Sequence, residues 1–204
     1  MIEILFLSAI QGITEFLPIS SSSHLILFSD YLNFKNQGLT LDVSLHIGSF
    51  LAVIVYFKKD IINFVKNKHL FFKIFLSSIP IMLVGYLLIK LNLIEQLRNI
   101  KVIGWMTIIF GLLLFFSDRC KINKVVEKEF NYKTAMFIGL FQILALVPGV
   151  SRSGIAITAA RILKYDRFSS AKISFLLSIP TLAAVSLFGI KILVTSEDLN
   201  FSIL

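Results

Sequence analysis

Two polar clusters, each set inside a strongly apolar stretch, constrain this chain more than anything else in it. The first runs Gln11-Gly-Ile-Thr-Glu15-Phe-Leu-Pro18-Ile-Ser20-Ser-Ser22-Ser-His24; the second runs Gln142-Ile-Leu-Ala-Leu-Val-Pro148-Gly-Val-Ser151-Arg152-Ser153-Gly154. Gln11, Ser20 and Ser22 recur as Gln142, Ser151 and Ser153 at a constant offset of 131 residues, with Pro shifted by one. Hydroxyl and ionisable groups at membrane depth cost several kcal/mol unless they are paired or line a wet cavity, so they mark a functional site by default. Polar, Pro-interrupted segments at corresponding places in two halves point to a binding site between repeats.

The membrane setting follows from composition. The chain is 56% hydrophobic with 20 Phe and a mean hydropathy of +0.85, too apolar to cover a soluble domain of 204 residues with charge. Apolar runs at 43–57, 74–91, 102–117 and 173–195 are near the roughly 17–25 residues of a spanning helix, the first and third being the shortest. Period-2 alternation is absent, which argues against a barrel. Glu3 stands where a signal peptide would carry Lys or Arg, and the apolar run behind it leads into the first cluster, which argues against a cleaved leader. The single Cys120 excludes an internal disulfide framework.

The net charge of +8 is topology rather than nucleic-acid binding. Lys58, Lys59, Lys66, Lys68 and Lys73 fall in one segment; Arg119, Lys121, Lys124, Lys128 and Lys133 fall in another; Lys164, Arg167 and Lys172 fall in a third. The intervening connections hold only Lys35 and the trio Lys90, Arg98 and Lys101. The positive-inside rule places the first three segments in the cytoplasm, and no soluble basic face with interleaved aromatics exists to bind nucleic acid. Segment 1–38 then begins and ends outside, and its two apolar pieces, broken at 18–23, are each too short to span. A re-entrant hairpin is expected. Three spans later, segment 134–165, broken at 148–154, forms a second hairpin entering from the cytoplasm. The expected fold is therefore an all-α membrane protein of two inverted-topology repeats in a single domain, 1–204. Repeat one (about 1–130) has a hairpin plus three spans, and an incomplete repeat two (about 133–204) has a hairpin plus one. On this reading two C-terminal helices are missing.

The clusters carry a chemistry of their own. Gln11 and Glu15 are i,i+4 and share one helix face, and hard oxygens of this kind hold Mg²⁺ or Ca²⁺ against phosphate. The blander alternative is a Glu15 that pairs with Arg152 or Arg161 and only knits the repeats together. Ser20 to Ser23 would open a half-helix after Pro18, whose free N–H groups favour phosphate. For any one serine an ordinary N-cap is the simpler reading, but four in a row exceed what a cap requires. A helix starting near Ser20 puts Ser21 and His24 side by side at i,i+3, a nucleophile–base spacing. Ser151, Arg152, Ser153 and Gly154 repeat the cradle with a guanidinium, which binds phosphate bidentately and keeps its charge. Arg161 is expected to pair with Asp166 or lipid phosphate. His46 is read as structural and His69 as a loop residue. Tyr31, Tyr56, Tyr86 and Trp105 are read as interface anchors or packing.

The run Glu15-Phe-Leu-Pro-Ile-Ser-Ser-Ser-Ser-His24, followed by Pro148-Gly-Val-Ser-Arg-Ser-Gly154, resembles the bacterial undecaprenyl-diphosphate phosphatases, the bacitracin-resistance membrane proteins. The segments Leu41-Asp-Val-Ser-Leu-His46-Ile-Gly-Ser and Ser174-Phe-Leu-Leu-Ser-Ile-Pro180 resemble the same family, and the resemblance runs from about residue 5 to 190. It implies dephosphorylation of the undecaprenyl diphosphate carrier of cell-wall synthesis at a metal-dependent site open to the outer, periplasmic face of the plasma membrane. It also implies Ser21 as nucleophile and His24 as acid/base. Gln11 stands where many members have Glu, Ser23 replaces a usual Gly and Ala156 a usual Thr.

The expected function is a membrane phosphatase acting on a polyprenyl diphosphate. Ser21, His24, Glu15 and Arg152 are its catalytic residues; Ser20, Ser22, Ser151, Ser153 and Gly154 bind substrate; Glu15 and Gln11 hold Mg²⁺ or Ca²⁺. Direct attack by water, with Ser21 only a phosphate ligand, fits the sequence equally. The alternatives are a lipid-phosphate transporter or flippase, and an inactive truncated remnant. The expected partners are the lipid substrate and membrane lipids, with no nucleic acid; a homo-oligomer is compatible with the sequence.

Overall fold

The computed structural model describes residues 2–34, 39–120 and 129–195, and all regular structure within them is helical. Lys35, Lys121, Lys124 and Lys128 of the charge pattern lie outside the described residues. Helix α1 (Ile2–Thr14) and α2 (Ser21–Tyr31) flank the first polar cluster. Helices α3 (Leu39–Tyr56), α4 (Lys58–Lys66), α5 (Lys68–Lys90), the single turn α6 (Ile94–Leu97) and α7 (Ile100–Asp118) follow. After them come α8 (Tyr132–Gln142), extended by a 3-10 turn at Ile143–Leu146, then α9 (Arg152–Ile162) and α10 (Arg167–Thr195).

Among the described residues, three helices are long and apolar enough to cross a membrane: α5, α7 and the Arg167–Lys191 part of α10. The fourth expected span, 43–57, corresponds to an apolar stretch at Leu41–Tyr56 that is shorter than those three. Only 11% of the apolar window of α7 is buried, and Trp105, Ile108, Leu112 and Phe116 stand exposed along it. A helix this apolar and this uncovered is stable only against lipid. The chain is a multi-pass membrane protein.

Both polar clusters break their helices, and for local reasons. Pro18 has no N–H and pushes Leu17 toward extended geometry, so α1 cannot run on. Ser20, at φ −80° and ψ 109°, then caps α2 by accepting from the Ser23 N–H. In the second cluster Gly149 adopts φ +104°, a conformation that disfavours any side chain. A Cβ there would also meet Ile103 O and Met106 Cβ at 2.7 Å. Ser151 caps α9 by accepting from the Gly154 N–H at 3.1 Å. Asn131 and Thr134 close a reciprocal capping box on α8. Asp166 opens α10, accepting from the N–H and hydroxyl of Ser169 at 2.8 and 2.6 Å; these bonds hold its carboxyl below the usual carboxylate range.

The core gathers Ile74, Ile138, Ala156, Ala159, Ala160, Ile173 and Leu177 around Phe64, Phe130 and Tyr165. Small residues on α9 let α7, α8 and α10 pack closely against it, which is how helices associate when lipid is as apolar as their side chains. Ala156 is fully buried, so the substitution noted in the sequence falls in packing. Arg161 is also buried, at 1% exposure, but Asp166 is not its partner. Its guanidinium donates to Asp118 Oδ1 at 3.1 Å and to the carbonyls of Tyr165, Asp118 and Cys120 at 2.6, 2.5 and 3.3 Å. The end of α7 offers carbonyls that no helix bond uses, and a cation there satisfies them.

α5 and α8 cross closely at Gly139. A Cβ on Gly139 would lie 2.0 Å from the Ser77 carbonyl oxygen, whereas one on Gly12 would meet nothing within 4 Å. Gly139→Ala should therefore lower the melting temperature in detergent, at a cost of ~1–3 kcal/mol or more for overpacking, and Gly12→Ala should leave it unchanged. Equal melting of the two variants would refute the crossing.

Candidate active site

The two breaks meet. Leu17 O accepts from Ser153 Oγ at 2.5 Å and from Ser151 Oγ at 3.5 Å, and the Gly154 Cβ position lies 3.3 Å from Pro18 O. Across this seam Arg152 Nη2 bonds directly to Glu15 Oε1, while Arg152 Nη1 donates to Thr181 Oγ1 at 2.9 Å. The other carboxylate oxygen, Glu15 Oε2, accepts from Ser21 Oγ and from Gln11 Nε2, each at 2.8 Å. His46 Nδ1 lies 3.4 Å from Glu15 Oε2 and 2.7 Å from Gln11 Nε2. Glu15 is thus the hub, 7% exposed, with donors from α1, α2 and α9 and with α3's His46 beside it.

A cavity of about 440 Å³ opens on this hub. Its polar wall includes Glu15, Ser20, Ser21, Ser22, His46, Ser151, Arg152 and Thr181, and much of the rest is apolar, with Ile26, Ile81, Leu182 and Phe188 among it. Gln11 sits behind Glu15 at 1% exposure. Ser20 Oγ also bridges Ser22 Oγ at 3.2 Å and Ser23 Oγ at 2.9 Å. Of the remaining expected site residues, Ser153 and Gly154 are at the seam, where the Ser153 hydroxyl contacts Leu17 O and Ser151 Oγ. His24 does not line the cavity. Its Nδ1 lies 2.6 Å from the Ser20 carbonyl, to which it donates. Ser21 and His24 share the first turns of α2 as the spacing requires, but the Ser21 hydroxyl turns to Glu15.

His46 belongs to the site, although its place in an apolar run suggested a structural role. The signal was available: Asp42, His46 and Ser49 fall at i, i+4 and i+7 of an apolar helix, one polar stripe on α3. Thr181 was equally hidden, one residue beyond Pro180 in α10.

A divalent cation held by Glu15 and Gln11 would have to displace protein donors from Glu15. Both Glu15 oxygens accept from protein groups, and Gln11 turns its amide nitrogen to that carboxylate, while its Oε1 is buried with no hydrogen-bond partner. A hard cation requires oxygens, and among the described residues no group of three or more His, Cys, Asp or Glu is gathered that could hold a metal. The positive charge beside Glu15 is the Arg152 guanidinium.

The family model described as bacitracin resistance protein BacA matches residues 4–203. The chain belongs to that family. It is 46% identical, over its whole length and 80% of the relative's, to the undecaprenyl-diphosphatase of Pelagibacter ubique. It is 43% identical to that of Saccharophagus degradans, over 97% of this chain and 79% of the relative. With the protein of Aliivibrio salmonicida carrying the same name, identity is 42% over 99% of this chain and 80% of the relative.

The ion pair at the seam makes a stability prediction. Glu15→Leu or Arg152→Met alone leaves one buried charge without its partner, at a cost of ~3–5 kcal/mol, whereas the double variant removes both charges together. Melting in detergent should rank the double variant above either single one. Losses that simply add would mean that the pair does not couple the two breaks.

Proposed function

We propose that this chain is an undecaprenyl-diphosphate phosphatase: a membrane hydrolase that removes the terminal phosphate of undecaprenyl diphosphate, regenerates the monophosphate carrier for cell-wall synthesis and so confers bacitracin resistance. The observation that carries the reading is the Ser21–Glu15–Arg152 chain at the head of a largely apolar cavity. A hydroxyl, a carboxylate and a guanidinium meet where an isoprenoid diphosphate could place its head. The relatives named above support the substrate.

In this mechanism Arg152 exchanges Glu15 for the oxygens of the terminal phosphate, and the serine-capped N-termini of α2 and α9 add N–H groups. Releasing Arg152 makes Glu15 a better acceptor for the Ser21 proton it already receives. Ser21 Oγ then attacks the terminal phosphorus, the bridging P–O bond breaks and the lipid monophosphate leaves. Water cleaves the phosphoserine; His24, one turn along α2 from Ser21 but outside the cavity wall at rest, would turn its ring inward to move a proton. Direct attack by a water that Glu15 activates is the competing route, and the same cavity accommodates it. Assays with Mg²⁺, Ca²⁺ or a chelator read any dependence on a cation directly.

The same reading covers topology. The two broken segments are re-entrant hairpins of inverted repeats, about 1–130 and 133–204, in one membrane domain. They enter the plasma membrane from opposite faces and place the cavity toward the outer one. The seam between Leu17 and Ser153 supports it, as does the separation of basic segments from Asn92. In a Cys120→Ser background, Asn92→Cys should react with an impermeant thiol reagent on intact cells and Asn67→Cys should not. Equal labelling would overturn the arrangement.

Phosphate release from undecaprenyl diphosphate by the purified chain tests the chemistry. Ser21→Ala and His24→Ala should each nearly abolish it, and the double variant should be little worse, because residues acting as a unit are non-additive. Arg152→Lys, which keeps charge but loses the planar fork, should cost at least ~10²-fold in turnover. Substantial turnover in Ser21→Ala would favour the water route. Lipid translocation without phosphate release would favour a flippase.

A further inference from the structure

A second guanidinium lines the same cavity. Arg98, just after α6, donates through Nη1 to Asp42 Oδ2 at 2.7 Å, with both side chains largely buried, and both residues form part of the cavity wall that holds Glu15, His46 and Arg152. Asp42 and His46 are i,i+4 on α3, one turn and about 6 Å of rise apart, so the two carboxylate sites face the cavity from neighbouring turns of the wall. Arg98 comes from the connection between α5 and α7, and Asp42 from the first turn of α3. Apolar Ile89 and Ile94 stand beside them in the wall.

We propose that Arg98, positioned by Asp42, is a second substrate-binding residue: it takes the phosphate that stays on the lipid while Arg152 takes the one that leaves. The proposal rests on reading the cavity as a diphosphate site. One guanidinium bidentately matches one phosphate, and the second phosphate of a diphosphate needs its own counter-charge. The polar wall holds two guanidinium–carboxylate pairs, Arg152 with Glu15 and Arg98 with Asp42. Each guanidinium can exchange a carboxylate for a phosphate oxygen, and the one-turn offset suits two linked tetrahedra. A buried ion pair is a poor brace, since an apolar pair of similar size holds helices together as well or better. Its retention on a cavity wall calls for an anion. The lipid-side phosphate then lies next to Ile89 and Ile94, where the prenyl chain begins.

Two probes separate this role from that of a brace for the α6 connection. The double variant Asp42→Leu/Arg98→Met keeps an apolar brace and removes the second guanidinium. With undecaprenyl diphosphate as substrate, it and Arg98→Met should raise KM by ~10-fold or more with kcat within ~3-fold, and Arg98→Lys should recover part of the loss. By calorimetry in detergent, inorganic pyrophosphate should bind the wild-type protein at least ~10-fold tighter than inorganic phosphate, and Arg98→Met should abolish that preference. An unchanged KM and an unchanged preference for pyrophosphate, in both Arg98→Met and the double variant, would overturn the proposal. A wild-type chain that releases no phosphate would overturn the phosphatase reading, while the pyrophosphate measurement would still decide the role of Arg98.

Discussion

The bond between Glu15 and Arg152 organises the molecule. It joins the break after α1 to the N-terminus of α9, across 137 residues of sequence, and the rest of the site is arranged around it. Ser21, Gln11 and His46 gather on the same carboxylate, and Thr181 steadies the guanidinium from α10. A buried charge is tolerable only when paired, so any arrangement that separates the two breaks leaves an unmatched charge on each. In the proposed mechanism an anion would compete with Glu15 for the arginine, so stability at rest and reactivity with a phosphate would be two states of one interaction.

Much of this was legible in the sequence because the signals are local. Pro18 and the serines after it dictate a stop and a capped restart, and α2 begins where they require. The apolar runs became α5, α7 and α10 with small changes at their ends. The pairing of Glu15 with Arg152 could be weighed in advance, since few charges lie inside either broken segment. His46 and Thr181 were missed because their roles depend on which helix faces which, and an apolar run gives no phase to fix that. Arg161 went to Asp118 and three backbone carbonyls, because free carbonyls at a helix end leave no mark in the sequence. The partner of the Ser21 hydroxyl was likewise beyond spacing alone. His24 lies within i,i+3 on the same helix, but Glu15 reaches the hydroxyl from across the break.

The packing complements the site. In lipid, apolar burial does little to hold helices together, so the molecule relies on close approach at Gly139, Ala156, Ala159 and Ala160. The alanine contacts surround α9, whose N-terminus carries Arg152; Gly139 instead seats α8 against α5. Precision at the guanidinium is therefore inherited from residues that have almost no side chain. α7 contributes differently: it supports Gly149 with Ile103 and Met106 and turns much of its remaining surface outward.

The seam at Leu17 has a consequence for permeability. Helices interrupted in mid-membrane leave backbone groups that would ordinarily attract a file of water, and such a file conducts protons. Here the Leu17 carbonyl is taken by the Ser153 and Ser151 hydroxyls, and the absence of a side chain at Gly154 lets Pro18 O close against it. The two interruptions thus share their polar groups. Under the proposed topology, each broken helix would leave fewer unpaired carbonyls to recruit water than it would alone.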